Sequence, residues 1–377
     1  MKKVVIFEPQ CKNLEHLIFN SCMMKILFSI YKNANIVFYG DKDHAELIAE
    51  TNKIELNKIY LNIPEGYGRL FILKKIIFDF VCTLKLAKER PDILVYLSVT
   101  PFTILFSKIF LKKVTIFYIL HGILEILRLR QQPMNYYYWL WPALRIKRNN
   151  AAHIVLGESI KTEAERILPD VQFEVIDHPY YSLVNNHLLN KIPSVINIGA
   201  VGFGHIEKGS HLIFDLGKMI GKSDVIQLHY IGQFLDKRIL MPDNTEVRIH
   251  GGDKPLPPDE FAKWIEQMHY CLFFYPNYSY RLTASGAIFD ALIHLKPVIA
   301  IRNLYFEYVF NKMGNIGYLC EDIEEMSLII NTLSRPDMKD IYFEQQKNIR
   351  NGLNSFSVES VQKQMEQIIL KIENRNS

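Results

Sequence analysis

The chain has 377 residues, 49% of them hydrophobic and 22% charged, with a formal net charge of +4. That length suits two domains of ordinary size, and the composition excludes a disordered chain or a disulfide framework. Five cysteines (Cys11, Cys22, Cys82, Cys271 and Cys320) include no Cys-x-x-Cys pair and are odd in number, as expected for reduced thiols in a cytosol.

Taken in chain order, the opening MKKVVIFEP has an apolar run too short for a signal peptide and reads as a buried first strand. Further strands are expected at 36–39, 58–61, 93–97, 115–120, 152–156 and 172–175, after the first at 4–7. Helix-like segments such as 71–88 and 158–167 lie between them. Continuous Val/Ile/Phe runs, rather than strict alternation, indicate strands covered on both faces. The apolar window 101–120 is broken by Lys108, Lys112 and Lys113, so no transmembrane helix is expected. A polar, Pro-containing stretch, 176–194, interrupts the rhythm, and a linker is placed at 181–194. The pattern then restarts with strands at 194–200, 225–230, 246–249, 269–274 and 297–301, and helices at 209–220, 258–267 and 285–294. Strand–helix–strand repetition implies parallel sheets. The expectation is α/β: two tandem doubly wound, Rossmann-like domains, 1–180 and 195–355, facing a cleft. A C-terminal helix over 358–372, within a final segment 356–377, is expected to pack back toward the first domain.

Ligands of doubly wound sheets bind beyond the carboxyl ends of strands, and three loops stand there. NIGAVGFGHIEKGSH, residues 197–211, runs from a strand through Gly202 and Gly204 to Lys208 and Gly209 at a helix start. The order Lys-Gly-Ser is not a Walker loop, and Ile206 and Glu207 leave the third glycine of a dinucleotide fingerprint empty. Glycines permit close backbone approach, and a helix start with a lysine suits a diphosphate; a plain strand-to-helix turn with a solvated lysine has the same residues. In YSYRLTASGAIFDALIHLKPVIA, residues 278–300, Thr283 and Ser285 are N-cap types. The amides of Ser285, Gly286 and Ala287 would then face an anion, with Asp290 one turn further on for ribose hydroxyls. Asp290 equally fits an acid that offsets the helix dipole. In FYILHGILEIL, residues 117–127, His121 follows a strand of the first domain and suits a substrate hydroxyl or developing charge. Glu125 stands four residues on, to orient His121 or to pair with Arg128.

Charge is uneven. Residues 66–148 hold fourteen Lys and Arg against four Asp and Glu, a net of +10, which calls for an acidic partner. Within it, residues 127–150 combine Arg128, Arg130, Arg145, Lys147 and Arg148 with Tyr136, Tyr137, Tyr138, Trp139 and Trp141. Basic flanks around aromatics suit a membrane interface, stacking on single-stranded nucleic acid, or plain packing.

Together these loops resemble the glycosyltransferases of the GT-B fold, and most closely the retaining group that includes family four. Gly202, Glu207, Lys208 and Gly209 hold the places of that group's Gly-Arg-x-x-x-Glu-Lys-Gly motif. SGAIFDALIHLKPVIA matches its later motif, with Asp290 at the second acid. HG at 121–122 and VIDHPYY at 175–181 match positions in and leading out of the first domain. Two places depart: Phe203 stands for the phosphate-binding arginine, and Leu282 for the first acid. Arg281 or His205 is a candidate for the missing charge. The resemblance implies sugar transfer from a nucleotide diphosphate sugar to a glycan or lipid-diphosphate acceptor in bacterial surface polysaccharide synthesis. His121, Lys208 and Asp290 would be catalytic. Gly202, Gly204, Arg281, Ser285, Gly286 and Ala287 would join Lys208 and Asp290 in binding the donor. The block holding Arg128, Arg130, Tyr137, Trp139, Trp141, Arg145, Lys147 and Arg148 would meet the acceptor or the inner face of the cell membrane. No cofactor, metal or nucleic acid is expected, and the location is cytoplasmic and peripheral. A nucleotide-sugar epimerase of the same fold and a non-catalytic membrane or nucleic-acid binder are the alternatives.

Overall fold

The structure, a computed structural model, describes residues 1–129, 132, 135–181, 194–239, 242, 246–278 and 280–376. The chain divides into two units: Met1–Tyr181 with Leu282–Ala284 and Phe356–Ser377, and Ser182–Arg281 with Ser285–Ser355. Most of the segment expected to be the linker, 182–193, lies outside the described residues.

The β-branched and aromatic runs of the first half form a seven-stranded sheet: β1 (Lys3–Phe7), β2 (Asn35–Gly40), β3 (Lys58–Tyr60), β4 (Ile93–Tyr96), β5 (Thr115–Ile119), β6 (Ala151–Leu156) and β7 (Glu174–Ile176). Their order is β3-β2-β1-β4-β5-β6-β7, and every pairing is parallel. Parallel neighbours need crossovers, and the helices Leu17–Ile30, Lys42–Asn52, Gly68–Glu89, Pro101–Phe110 and Glu158–Ile167 supply them. Val4, Val5, Ile6 and Phe7 are all buried, as a strand covered on both faces requires. The C-terminal helix Val358–Asn376 belongs to this unit, as expected. The Asp177 amide donates to Gln364 Oε1 at 2.7 Å, Gln364 Nε2 donates to Asp177 Oδ2 at 2.6 Å, and Lys371 pairs with Glu174 at 2.6 Å.

The second unit has six parallel strands: β8 (Ile196–Val201), β9 (Ile226–Gln233), β10 (Val247–Gly252), β11 (Tyr270–Phe273), β12 (Val298–Ile301) and β13 (Gly317–Cys320), ordered β10-β9-β8-β11-β12-β13. Its core joins Ile198, Leu228, Leu272 and Ile299 of the sheet to Ile213, Met326, Ile330 and Tyr342 of the covering helices. The chain leaves β8 toward β9 and β10 on one side and resumes at β11 on the other. The point where strand order reverses therefore lies between β8 and β11, and in the first unit between β1 and β4. Such points are where doubly wound sheets open a crevice.

Three elements differ from expectation. The short edge strand β13 begins on a glycine and lies outside the strands expected. The helix expected over 209–220 begins at Leu212, behind a 3-10 turn at Ile206–Lys208. The helix expected over 285–294 is six residues, Ala287–Leu292, with Gly286 at its cap and no side-chain cap bond. Ser285 does not cap it and is buried beside Tyr275. All five cysteines are buried and unpaired. Among the described residues no helix is long and apolar enough to cross a membrane.

Candidate active site

In the second unit the loop after β8 meets the start of the helix Ala287–Leu292. Gly202 has φ +100°, a conformation that disfavours any side chain. Its amide donates to Ile231 O at 2.9 Å, and its carbonyl accepts from Tyr230 Oη at 3.0 Å. A Cβ built on Gly202 would lie 3.9 Å from the Ala287 Cβ. The two glycine-bearing stretches, far apart in sequence, thus form one surface at the reversal of strand order.

Lys208 ends the 3-10 turn and leans over this surface. Its Nζ is 3.5 Å from Phe203 O and 5.8 Å from the ring centroid of Tyr275. Burial lowers the pKa of its ammonium, and the charge of Asp290 works in the opposite direction. Tyr275 follows β11 and is buried; burial pushes its hydroxyl up to about 12. Its ring stacks on Tyr280 (4.3 Å) and on Phe306 (5.4 Å), which fixes it under the lysine. The turn itself is fastened from outside: Arg238 bonds Asp236 and reaches Glu207 at 2.6 Å, while Ile206 N donates to Asp236 at 3.3 Å. A six-residue helix has a small macrodipole, so attraction for an anion rests on Lys208 and nearby amides. The arrangement can hold a diphosphate against Lys208 and offer Asp290 to paired hydroxyls.

In the first unit His121 follows β5. Its ring lies 4.2 Å from His16, 4.5 Å from Phe19 and 5.6 Å from His178. Burial, then the two neighbouring histidines, push its pKa well below the usual imidazole range, which disfavours its charged form. Glu125 does not orient it: Glu125 pairs with Arg128 at 3.1 Å and accepts the Leu282 amide at 2.6 Å. The reversal point of this sheet is filled. Glu8, at the end of β1, is fully buried and accepts from the amides of Gln10 (2.9 Å) and Cys11 (3.0 Å), from Asn20 (3.2 Å) and from the Ser98 hydroxyl.

No protein-family model and no curated protein matches the chain. Solved structures do. HepE from Anabaena in complex with UDP-glucose is 14% identical with TM-score 0.66, covering 98% of this chain and 99% of that one. The lipopolysaccharide outer core galactosyltransferase WaaB is 13% identical with TM-score 0.62, covering 98% and 99%. A Listeria monocytogenes protein assigned as a UDP-N-acetylglucosamine 2-epimerase is 12% identical with TM-score 0.60, covering 98% and 96%. The fold is GT-B.

Within this GT-B chain the structure gathers Gly202, Lys208, Ser285, Ala287 and Asp290, with Gly286 between Ser285 and Ala287, and adds Tyr275. The rule that found the first loop, residues just after a central strand, also points to Tyr275, but its apolar surroundings conceal it. Gly204 has a different reason to be glycine: a Cβ there would lie 2.5 Å from Tyr230 Oη and 2.6 Å from Phe234. Among the described residues the charged neighbour that shifts Lys208 is Asp290, and Arg281 stands half-buried after Tyr280, whose φ is +55°. Phe203 is exposed.

The basic aromatic block separates into packed and exposed parts. Tyr136, Leu140, Ala143 and Leu144 are buried. Arg148 donates to the carbonyls of Lys108 and Leu111, each at 3.1 Å, which end the helix Pro101–Phe110 and need donors. Arg145 pairs with Asp170 at 2.8 Å and lies over Trp141, and Arg128 is held by Glu125. Tyr137, Trp139 and Lys147 face solvent, and Arg130 lies outside the described residues. His205, Glu207 and Asp236 bring metal-ligating atoms within 4.8 Å of one another, and the Arg238 guanidinium is ion-paired with both carboxylates there.

Proposed function

We propose that this protein is a glycosyltransferase that moves a sugar from a nucleotide diphosphate sugar to a glycan or lipid-diphosphate acceptor in bacterial surface polysaccharide synthesis, at the cytoplasmic membrane surface. The observation that carries the reading is the meeting of the Gly202 loop, Lys208 and the Ser285–Asp290 segment at the reversal point of the second sheet. The solved structures of HepE with UDP-glucose and with UDP and glucose, and of the galactosyltransferase WaaB, support the same class of donor.

Breaking the bond between sugar and diphosphate leaves negative charge on the departing phosphate. Lys208 is assigned to that charge, with the amides of Ser285–Ala287, and Asp290 to the ribose. A preorganised donor of this kind contributes about 100- to 1000-fold in rate. Lys208 is charge-hungry where it stands: burial disfavours its ammonium, and a diphosphate would restore it. His121, neutral, is assigned to a hydroxyl of the sugar or acceptor. The reading needs no metal, because lysine and amides take the charge. Retention of configuration and the hexosyl class of sugar belong to the proposal through the resemblance to the retaining group.

A panel of nucleotide sugars, scored for nucleotide release with and without polyprenyl-diphosphate sugar acceptors, tests it. Release of UDP or another nucleoside diphosphate from one donor is expected. A folded protein that releases none, and binds no nucleotide, overturns it. The similarity to the Listeria protein favours one rival, an epimerase; that reading predicts acceptor-independent inversion at C2 of a UDP-N-acetylhexosamine, seen by proton NMR.

A further inference from the structure

The helix Gly68–Glu89 is inside out. Its buried residues are Asp79, Cys82, Thr83 and Leu86. Asp79 accepts from Thr100 Oγ1 at 2.5 Å and Tyr136 Oη at 3.4 Å, so the inner face is held by a polar group. At 100° per residue the opposite face carries Leu70, Leu73, Ile77, Val81 and Leu84, which are 42% to 67% exposed. A helix that meets water shows the reverse pattern. A row of five large aliphatic side chains facing outward marks an interaction surface.

The surface extends sideways. Phe80 packs at 5.3 Å on Phe106 and 5.7 Å on Phe110 of the helix Pro101–Phe110, where Ile109 and Phe110 are also exposed. The ring contacts continue from Phe106 to Phe102 (5.5 Å) and on to the exposed Trp139 (6.0 Å). The exposed charge on the helix has one sign. Every exposed charged residue of the helix is basic: Arg69, Lys74, Lys85 and Lys88. Lys112 and Lys113, also exposed, follow the second helix.

We infer that this face, the Gly68–Glu89 stripe with its Phe110 and Trp139 margins, seats the protein on an anionic lipid bilayer, the aliphatic stripe lying among acyl chains and the lysines among headgroups. An apolar stripe edged by lysines, with a tryptophan at the margin, is the composition that lies in a bilayer interface. A second copy of the chain would cover the stripe but set like-charged edges against each other; anionic lipid satisfies both the stripe and its basic edges. The inference deepens the proposed membrane-surface role and moves its centre from the 127–150 block to a helix that the block only borders. It is independent of nucleotide binding.

Co-sedimentation of the full chain with vesicles of equal phosphatidylglycerol and phosphatidylcholine, against pure phosphatidylcholine, tests it. Binding to the anionic vesicles is expected, with Leu73→Glu/Ile77→Glu weakening it about tenfold or more and each of Lys74→Gln and Lys85→Gln about fivefold. All substituted positions face outward, so the melting temperature should hold. Should the double variant lose structure, the two lysine variants still separate the outcomes. Vesicle binding unchanged in the folded variants overturns the inference. So does a wild-type dimer in the analytical ultracentrifuge that the double variant converts to monomer without change in vesicle binding; the face would then join two copies of the chain. Because the readout uses no nucleotide, failure of the transferase reading would leave the vesicle result standing, and the reverse.

Discussion

Each of the two sheets reverses its strand order once, and the two reversal points are built in opposite ways. Between β1 and β4 the space is closed by Glu8, buried and bonded to two backbone amides, Asn20 and Ser98. Between β8 and β11 the corresponding loop has Gly202 at a positive φ, a lysine whose burial is answered by one carboxylate, and a helix start in contact. The first satisfies itself; the second leaves a cation short of solvation and a backbone without side chains. One topology thus yields a structural plug in one unit and, on the proposed reading, a binding surface in the other, and the difference lies in a handful of residues at strand ends.

The comparison can be broken most sharply at Lys208. Lys208→Ala should lower transfer by about 100- to 1000-fold and nucleotide affinity by roughly ten- to a hundredfold. Its melting temperature without ligand should be no lower than wild type. The sign follows from burial: the folded-state pKa lies below the free lysine value, so the charged form costs stability at neutral pH, and the cost fades as pH rises through the folded pKa. Glu8→Ala should do the converse. It removes the acceptor of four donors, three of them buried, and should cost about 3 kcal/mol of stability, read by denaturant titration, with nucleotide affinity unchanged. If Glu8→Ala instead weakens nucleotide binding in a folded protein, the contrast between the two points fails.

Gly204→Ala sharpens the contrast within one loop. Its new methyl would meet Tyr230 and Phe234, so a loss of about 1–3 kcal/mol in stability is expected, with nucleotide affinity per folded molecule preserved. The smallest effect concerns pH. Lys208 holds an anion only while protonated, and its pKa is lowered, so nucleotide affinity should fall in a more acidic range than an ordinary lysine would allow. Lys208→Arg should move that fall to higher pH, as calorimetric titration across alkaline buffers would show. An identical pH profile for both proteins would count against a role for the Lys208 charge.

Much of this was legible in the sequence. The strands are runs of Val, Ile and Phe between polar turns, and strand ends direct attention to residues 202–209 and 285–290. What stayed hidden depends on contacts between distant segments. Nothing around Gly204 in the chain announces Tyr230 or Phe234, so the packing requirement on this glycine is invisible in the sequence. Arg148 reads as surface charge because the helix-end carbonyls it bonds lie about forty residues away. Ser285 has the chemistry of a cap, yet the helix starts at Ala287 and Ser285 is buried beside Tyr275. The helix Gly68–Glu89 is apolar almost all round, so periodicity reveals a helix without revealing which face looks outward. That face is settled only by the buried position of Asp79 against Thr100 and Tyr136.

The claim on which the rest depends is that the β8–β11 reversal point binds a nucleotide diphosphate through Lys208. Thermal melting of wild type and Lys208→Ala, each with and without UDP or GDP, tests it directly. A ligand at a hundred times the wild-type dissociation constant stabilises wild type by about 2.7 kcal/mol and a variant with ten- to a hundredfold weaker binding by about 1.4 to 0.4 kcal/mol, so the account predicts a clear upward shift for wild type with at least one nucleotide and at most about half of it for the variant. Equal shifts in the two proteins, or none in folded wild type with either nucleotide, would contradict it.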